Sequence, residues 1–186
     1  MTKYDILLKI GNKTLKRLFE IENKEIISEI LTDAQYGTLA ICTDDKPYSL
    51  PINFVEINDE IYFHGSLKGR KIDILRANQF ASFSVVEEYS MIQSYFSSND
   101  NLACPATHFY KSIIIDGTIA FVEDYKEKVL MLTKLMEKLQ KEGRYKELSE
   151  EIYKKMINAT TIYKLTPTQT KAKFKFGQNL RKDKLI

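Results

Sequence analysis

The spacing of apolar residues changes period several times along this chain, and each change marks an element. Tyr48, Leu50, Ile52 and Phe54 alternate with polar or small neighbours, and Ile61 and Phe63 resume the alternation after the polar pair Asn58-Asp59. Strand side chains point to opposite faces in turn, so this stretch predicts a hairpin of strand, turn and strand with one apolar face. After Phe63 the alternation stops. Ser66, Lys68, Gly69, Arg70 and Lys71 follow, and then the amphipathic run Ile72, Ile74, Leu75. That order predicts a basic, glycine-containing loop opening a helix that ends near Ala77.

The same reading extends both ways. Asn23 stands where a helix cap belongs, and Ile26, Ile27, Ile30 and Leu31 recur at helical spacing, predicting a helix to about Ala34. Gly37–Thr43 reads as a buried strand closed by the turn Asp44-Asp45-Lys46-Pro47, which makes the hairpin part of a three-strand meander. Phe80–Val86 is a fourth strand. Residues 89–108 are polar and aromatic without a period and predict a long loop, a feature that in a compact domain is usually functional or mobile. Phe109–Phe121 returns to strand character, with Asp116-Gly117 as a bend or hairpin turn. Asp124–Lys141 predicts a helix whose core face is Val129, Leu130, Leu132, Leu135, Met136 and Leu139, with Lys126, Lys128, Lys134 and Lys138 toward water. Leu148, Ile152, Met156 and Ile157 suggest a second helix within a helical segment 124–157. Thr160–Thr166 is the last strand and leads through Pro167 to the segment 171–179. Residues 1–22 show no clear period and form an N-terminal extension.

Short strands at regular spacing with flanking helices predict a mainly β, α+β fold built on a small barrel, and 186 residues suffice for one domain with a full core. Composition mostly excludes. With 28 Lys+Arg against 25 Asp+Glu, interspersed, the net charge of +3 implies no nucleic-acid surface. Cys42 and Cys104 lack C-x-x-C spacing, which argues against zinc and for reduced thiols in a cytoplasmic protein; Cys42 reads as a small buried hydrophobe. No apolar run approaches a membrane span, and no signal-peptide core begins the chain.

The basic loop is the candidate chemistry. A helix start carries free N–H groups and partial positive charge, so Ser66, Lys68, Arg70 and Lys71 gathered there would hold a phosphate dianion. A cluster of this kind is more often a solvated turn, and charge alone leaves both readings open. His64, at a strand end, is either structural or beside a ligand. Cys104 and His108 share only a weak Cys-x-x-x-His spacing and are assigned no role.

The segments Tyr48-Ser-Leu-Pro-Ile-Asn-Phe54 and Phe63-His-Gly-Ser-Leu-Lys-Gly-Arg-Lys71 resemble the FMN-binding split barrels of the pyridoxamine 5′-phosphate oxidase-like superfamily, with most likeness to 5-nitroimidazole reductase-type flavoproteins. The tail Lys171-Ala-Lys-Phe-Lys-Phe-Gly-Gln-Asn179 resembles the ending of several members. The resemblance implies a single-domain, six-stranded antiparallel split β-barrel with FMN as cofactor. It implies that Leu50, Pro51, Ile52 and Asn53 line the ring system through their main chain, that Arg70 and Lys71 grip the phosphate with Ser66 and Lys68 as further donors, and that His64 and Gly65 lie beside the flavin. Gln178 and Asn179 would reach the ring edge. It further implies a homodimer with FMN at the interface, the stretch around Tyr95 and Phe96 contributing from across it, and a reduced donor such as NAD(P)H passing electrons to a nitro compound or quinone. The alternative is a non-catalytic flavin- or haem-binding store, sensor or regulator. The chain ends Leu180-Arg-Lys-Asp-Lys-Leu-Ile186 and lacks the Arg-x-His substrate motif of the oxidase members, which puts vitamin phosphate oxidation in doubt.

Overall fold

The computed structural model describes residues 20–97, 102–103 and 106–175. The elements are β1 (Glu20–Ile21), α1 (Lys24–Asp33), β2 (Tyr36–Thr43), β3 (Lys46–Asn53), β4 (Val55–Ile57), β5 (Glu60–Gly65), α2 (Arg70–Ala77), β6 (Phe80–Ile92), α3 (Ser94–Ser97), β7 (Thr107–Val122), α4 (Tyr125–Leu139), α5 (Glu151–Asn158) and β8 (Thr161–Lys175). They fall into two compact units. The larger joins residues 28–85 with 114–170; the smaller includes 86–113 and the segments before 28 and after 170.

In the larger unit an antiparallel sheet curls into a half-barrel with helices at its flanks. The strand order is β3-β2-β6-β7-β8-β5-β4, and β3, at one end of that order, lies against β5 without laddering to it. Six strands have six or more residues, the number expected, and the two-residue β1 and three-residue β4 bring the described sheet to eight. Local chemistry explains the turns. Asp44-Asp45 and Asn58-Asp59 all have positive φ, as the mirror-image hairpin turns require, and Asp and Asn tolerate that region best after glycine. Glu56 Oε1 accepts a hydrogen bond from the Asp59 amide (2.7 Å) and steadies the second turn.

The hairpin differs from expectation. β3 pairs with β2 over its whole length, from Tyr36 opposite Asn53 to Thr43 opposite Lys46, while the hairpin partner of β5 is the short β4. The chain leaves β3 at Phe54, whose fully buried ring meets Phe83 edge-on at 4.9 Å. Burying that large ring ends the alternation and restarts it one residue later. Nor is there a turn at Asp116-Gly117. β7 runs unbroken through both residues, because Gly117 lets the neighbouring strand approach: a Cβ there would lie 2.3 Å from the Thr166 carbonyl oxygen. The expected long loop at 89–108 is also shorter, since β6 continues to Ile92 and β7 begins at Thr107. Their ends, Glu87–Ile92 and Thr107–His108, mix charged, polar and apolar residues without alternation, so the pattern did not reveal them.

β2 is half-exposed rather than buried. Gly37, Leu39 and Ile41 face inward while Thr38, Ala40 and Cys42 face out, so the Cys42 thiol is exposed, contrary to expectation. Parity decides it, since Cys42 follows the inward Ile41. α1 is capped by Asn23 Oδ1, which accepts from the Glu25 and Ile26 amides (2.7 and 3.3 Å), and α4 by Asp124, which accepts from Glu127 N (2.8 Å). The face of α4 is turned slightly from the predicted one. Met131, Leu132 and Leu135 are buried while Leu130 and Leu139 are exposed. Lys138 continues the stripe of Met131 and Leu135: its ammonium sits 3.8 Å from the Phe54 ring centroid and donates to the Leu31 carbonyl (2.8 Å) instead of facing water. Lys128 likewise donates to the Thr160 carbonyl (3.3 Å). In α5 only Ile157 is buried; Ile152 and Met156 are exposed. Among the described residues no helix is long and apolar enough to cross a membrane.

The close approach at Gly117 is directly testable. Gly117→Ala forces the Thr166 backbone away, and overpacking of this kind costs about 1–3 kcal/mol. Urea unfolding is expected to show that loss; a variant as stable as the parent would disprove the contact.

Candidate functional site

β5 positions the site. Ile61, Tyr62 and Phe63 are buried, then His64 emerges at the strand end. The paired strand β8 sets Tyr163 opposite Phe63 and Thr161 opposite Gly65. The rings of Phe63 and Tyr163 stack at 5.1 Å with 15° between their planes, and Phe121 leans on Tyr163 at 5.4 Å. Both stacked rings are fully buried.

The loop 66–69 follows. Ser66 Oγ accepts from the Lys68 amide (3.3 Å), a local turn, and the Ser66 carbonyl accepts a long hydrogen bond from the Tyr163 hydroxyl (3.5 Å). Gly69 has φ +119°, open to glycine and strained for other residues, and a side chain there would meet open space. Gly69 is the N-cap residue of α2 and no side chain caps that helix, so its first amides have no side-chain acceptor. The Gly69 carbonyl accepts from Asp73 N (3.2 Å) as the helix begins.

Two cations fold back onto aromatic faces. The Arg70 guanidinium lies 4.4 Å from the ring centroid of Tyr48 on β3, and thereby ties the start of α2 to the edge strand. Stacking occupies the guanidinium face and leaves the in-plane donors free. The Lys71 ammonium sits 4.6 Å from the Tyr163 ring and 5.7 Å from that of Phe63. Its route passes Gly65, where a Cβ would lie 2.4 Å from Lys71 Nζ. No described carboxylate pairs with Lys68, Arg70 or Lys71. Burial lowers the Lys71 pKa. Partial desolvation by its neighbours first, and the Lys71 charge second, also hold the His64 imidazole below its ordinary range, so it is neutral at physiological pH.

The structure thus brings together His64, Gly65, Ser66, Lys68, Arg70 and Lys71 at one end of β5, with β3 joined through Tyr48. Leu50, Pro51, Ile52 and Asn53 lie on β3, the end strand of the order, where alternate backbone groups are not spent on a ladder and the prolines Pro47 and Pro51 are tolerated. The Asn53 amide donates to the Gln35 carbonyl (3.0 Å), so its side chain serves the entry to β2. Gln178, Asn179 and Cys104 lie outside the described residues. His108 is on β7, exposed and 3.2 Å from Glu88, and no metal-holding group of His, Cys, Asp and Glu occurs among the described residues. Sequence reasoning missed Tyr48, Thr161 and Tyr163 as parts of the site. The strand run Thr160–Thr166 named the last two, but only strand pairing places them under the loop.

The family model for pyridoxamine 5′-phosphate oxidase matches residues 23–174. The chain belongs to this family. Among solved structures it is similar to a putative 5-nitroimidazole antibiotic resistance protein of Bacteroides thetaiotaomicron, with 23% identity, 83% of this chain and 86% of that chain covered, and a TM-score of 0.66. A flavocytochrome of Azotobacter vinelandii aligns at 19% identity over 86% of this chain and 71% of its own, TM-score 0.69. An FAD and heme binding protein of Mycobacterium smegmatis aligns at 20% over 85% and 74%, TM-score 0.69. These likenesses share the split-barrel fold. An uncharacterized protein of Rhizobium meliloti is 27% identical over 97 residues, 52% of this chain and about half the relative's own length (53%).

The coupling of His64 to Lys71 has a measurable consequence. Folding lowers the His64 pKa, so the unfolded chain binds that proton more readily, and acidification through the window between the two values costs stability. Lys71→Met removes the second cause and is expected to raise the His64 pKa toward its ordinary value of about 6.5 without fully restoring it. NMR titration of the imidazole checks this. An unmoved or lower value would show that Lys71 does not act on His64.

Proposed function

We propose that the protein is an FMN-dependent oxidoreductase that passes electrons from a reduced donor, such as NAD(P)H, to a small organic acceptor of the nitro or quinone type. The observation that carries this reading is the set of three cations, Lys68, Arg70 and Lys71, without carboxylate partners among the described residues, around a helix start without a side-chain cap. Such a loop fits a phosphate dianion: the amides of α2 and the Ser66 hydroxyl donate hydrogen bonds, Arg70 presents in-plane N–H groups, and Lys71 adds a partly desolvated charge. Family membership supports the assignment.

Bound flavin supplies the redox chemistry. The protein's part is to bind and orient. The free backbone groups of β3 from Leu50 to Asn53 would read the polar edge of the ring system, with the cations fixing the far end of the cofactor. His64, neutral and reaching solvent at the strand end, would offer a hydrogen-bond acceptor or donor at the rim rather than a fixed charge. The smaller unit exposes Met91, Ile92, Tyr95, Phe96 and Leu102 within a dozen residues, an apolar stretch suited to cover a flavin in a second copy. On this reading the working form is a homodimer with two FMN at the interface.

A second reading, flavin or haem handling without turnover, is favoured by the accessible neutral imidazole of His64 and by the heme-binding relative named above. The absorbance spectrum of the purified protein separates flavin from haem, and turnover with NADH or NADPH separates enzyme from store.

The phosphate seat is tested by Arg70→Ala/Lys71→Ala. Charge-assisted bonds are worth about 1.5–3 kcal/mol each, so FMN affinity is expected to fall at least about a hundredfold while the fold persists. Riboflavin, lacking the phosphate, is expected to bind the parent protein as weakly as FMN binds the variant. Equal affinities of the parent for the two flavins in fluorescence quenching would refute the seat. Sedimentation tests the assembly: a stable 21.6 kDa monomer holding one tight FMN would refute the shared site.

A further inference from the structure

We propose that Tyr163 is a positioning residue for the phosphate loop: its buried ring, clamped between Phe63 and Phe121, is the platform that presents the Lys71 ammonium to a bound phosphate. The inference rests on the phosphate reading of that loop and adds a residue that lies outside both chain motifs that suggested it. Three observations carry it. Tyr163 is fully buried, stacked on Phe63 at 5.1 Å and met by Phe121 at 5.4 Å, so its plane is immobile. The Lys71 ammonium lies closer to this ring than to any other, at 4.6 Å. Gly65, opposite Thr161 on β8, leaves the gap through which Lys71 reaches the ring, since a Cβ at Gly65 would lie 2.4 Å from Nζ and 3.3 Å from the Tyr163 ring.

A lysine side chain free in solvent samples many rotamers, and holding it still for a phosphate costs about 1–2 kcal/mol of entropy. The ring face removes that cost before the ligand arrives. It attracts the ammonium through the ring quadrupole while leaving the N–H groups on the opposite side unspent. An aspartate in the same place would hold the lysine as firmly but cancel its charge. An aromatic platform keeps the cation available, which is why no carboxylate is needed and none is found among the described residues. The hydroxyl of Tyr163 adds a second, weaker hold through the Ser66 carbonyl at 3.5 Å.

The readout is the ratio of FMN to riboflavin affinity, measured by fluorescence quenching on the apoprotein, because loss of general structure weakens both flavins whereas loss of the Lys71 seat weakens FMN alone. Tyr163→Phe keeps the platform and is expected to stay within about twofold of the parent ratio. Tyr163→Leu removes it and is expected to lower FMN affinity about tenfold with riboflavin unchanged. Gly65→Ala displaces the ammonium from the other side and is expected to do the same; it answers the question should Tyr163→Leu fail to fold. Inorganic phosphate, competing for the seat, should weaken FMN binding to the parent and to Tyr163→Phe but not to the other two. If Lys71→Met abolishes the preference for FMN while Tyr163→Leu or Gly65→Ala retains it, the platform is refuted and the phosphate seat stands. If the parent itself shows no preference, the seat is refuted and the platform with it.

Discussion

The stacked pair Phe63 and Tyr163 is the contact on which the site depends. It joins β5 to β8 at the point where β5 stops being core and becomes rim: Phe63 is wholly buried, and the next residue, His64, is exposed. Two large rings opposite each other across an antiparallel pair add specific packing to the area they bury, so register there is firmly held. A one-residue slip would turn both rings to the opposite face of the sheet and carry Gly65 away from Lys71. The cationic loop is therefore placed by core packing, although every one of its own residues from Ser66 to Arg70 is exposed.

Electrostatics at the loop follows from the same arrangement. Lys71 is half-buried among rings, and burial makes its charge harder to keep; without a carboxylate nearby, nothing in the described protein offsets that cost except the ring faces. An anion bound at the loop would offset it. The contrasting case in the same unit is the cluster of Glu60, Glu127, Tyr62 and Lys164, where Lys164 Nζ stands 3.2 Å from Glu127 and 3.8 Å from Glu60, and the Tyr62 hydroxyl lies within 3.1 Å of both carboxylates. There both carboxylates have partners within the fold, and Thr166 supplies a further hydrogen bond to Glu60 (2.7 Å). A cluster satisfied in this way holds strands and α4 together. A cluster left cationic at a helix start is available to a ligand.

How much of this was legible in the sequence depends on whether a residue's role is set by its neighbours in the chain or across it. Turn chemistry, caps and the inward stripe of β3 are local, and Asn23, Asp124, Asn58-Asp59 and Tyr48, Leu50, Ile52 behave as their spacing predicts. The basic residues of the loop and the helix that follows them were legible for the same reason. Roles set across the sheet were not. Gly117 read as a turn because Asp-Gly is a turn signal, yet its function is to admit the Thr166 carbonyl from a strand fifty residues away. Lys138 read as solvent-facing because lysine usually is, although its place after Met131 and Leu135 at helical spacing put it on the core stripe. Tyr163 looked like one more β-former; its office appears only once β8 is laid beside β5.

Where a ligand of flavin size could sit is limited by the core itself. In the larger unit the concave face of the half-barrel is filled by Leu39, Ile41, Phe54, Phe63, Phe83, Ile115, Ile119, Tyr163 and Leu165, every one buried. A small barrel packed in this way has no internal room for three fused rings. On the proposed phosphate reading the ring system would lie outside the strands, with its phosphate end near the point where Arg70 meets Tyr48 at the edge strand β3. A ring so placed would lie along the β3 backbone from Leu50 to Asn53 with its other face toward solvent. Leaving one face of a large apolar ring in water forfeits much of the free energy that binding could supply. On the proposed reading a ring held at the cationic rim of a filled half-barrel calls for a cover, which a second copy of the chain, with its own exposed Met91, Ile92, Tyr95 and Phe96, would supply.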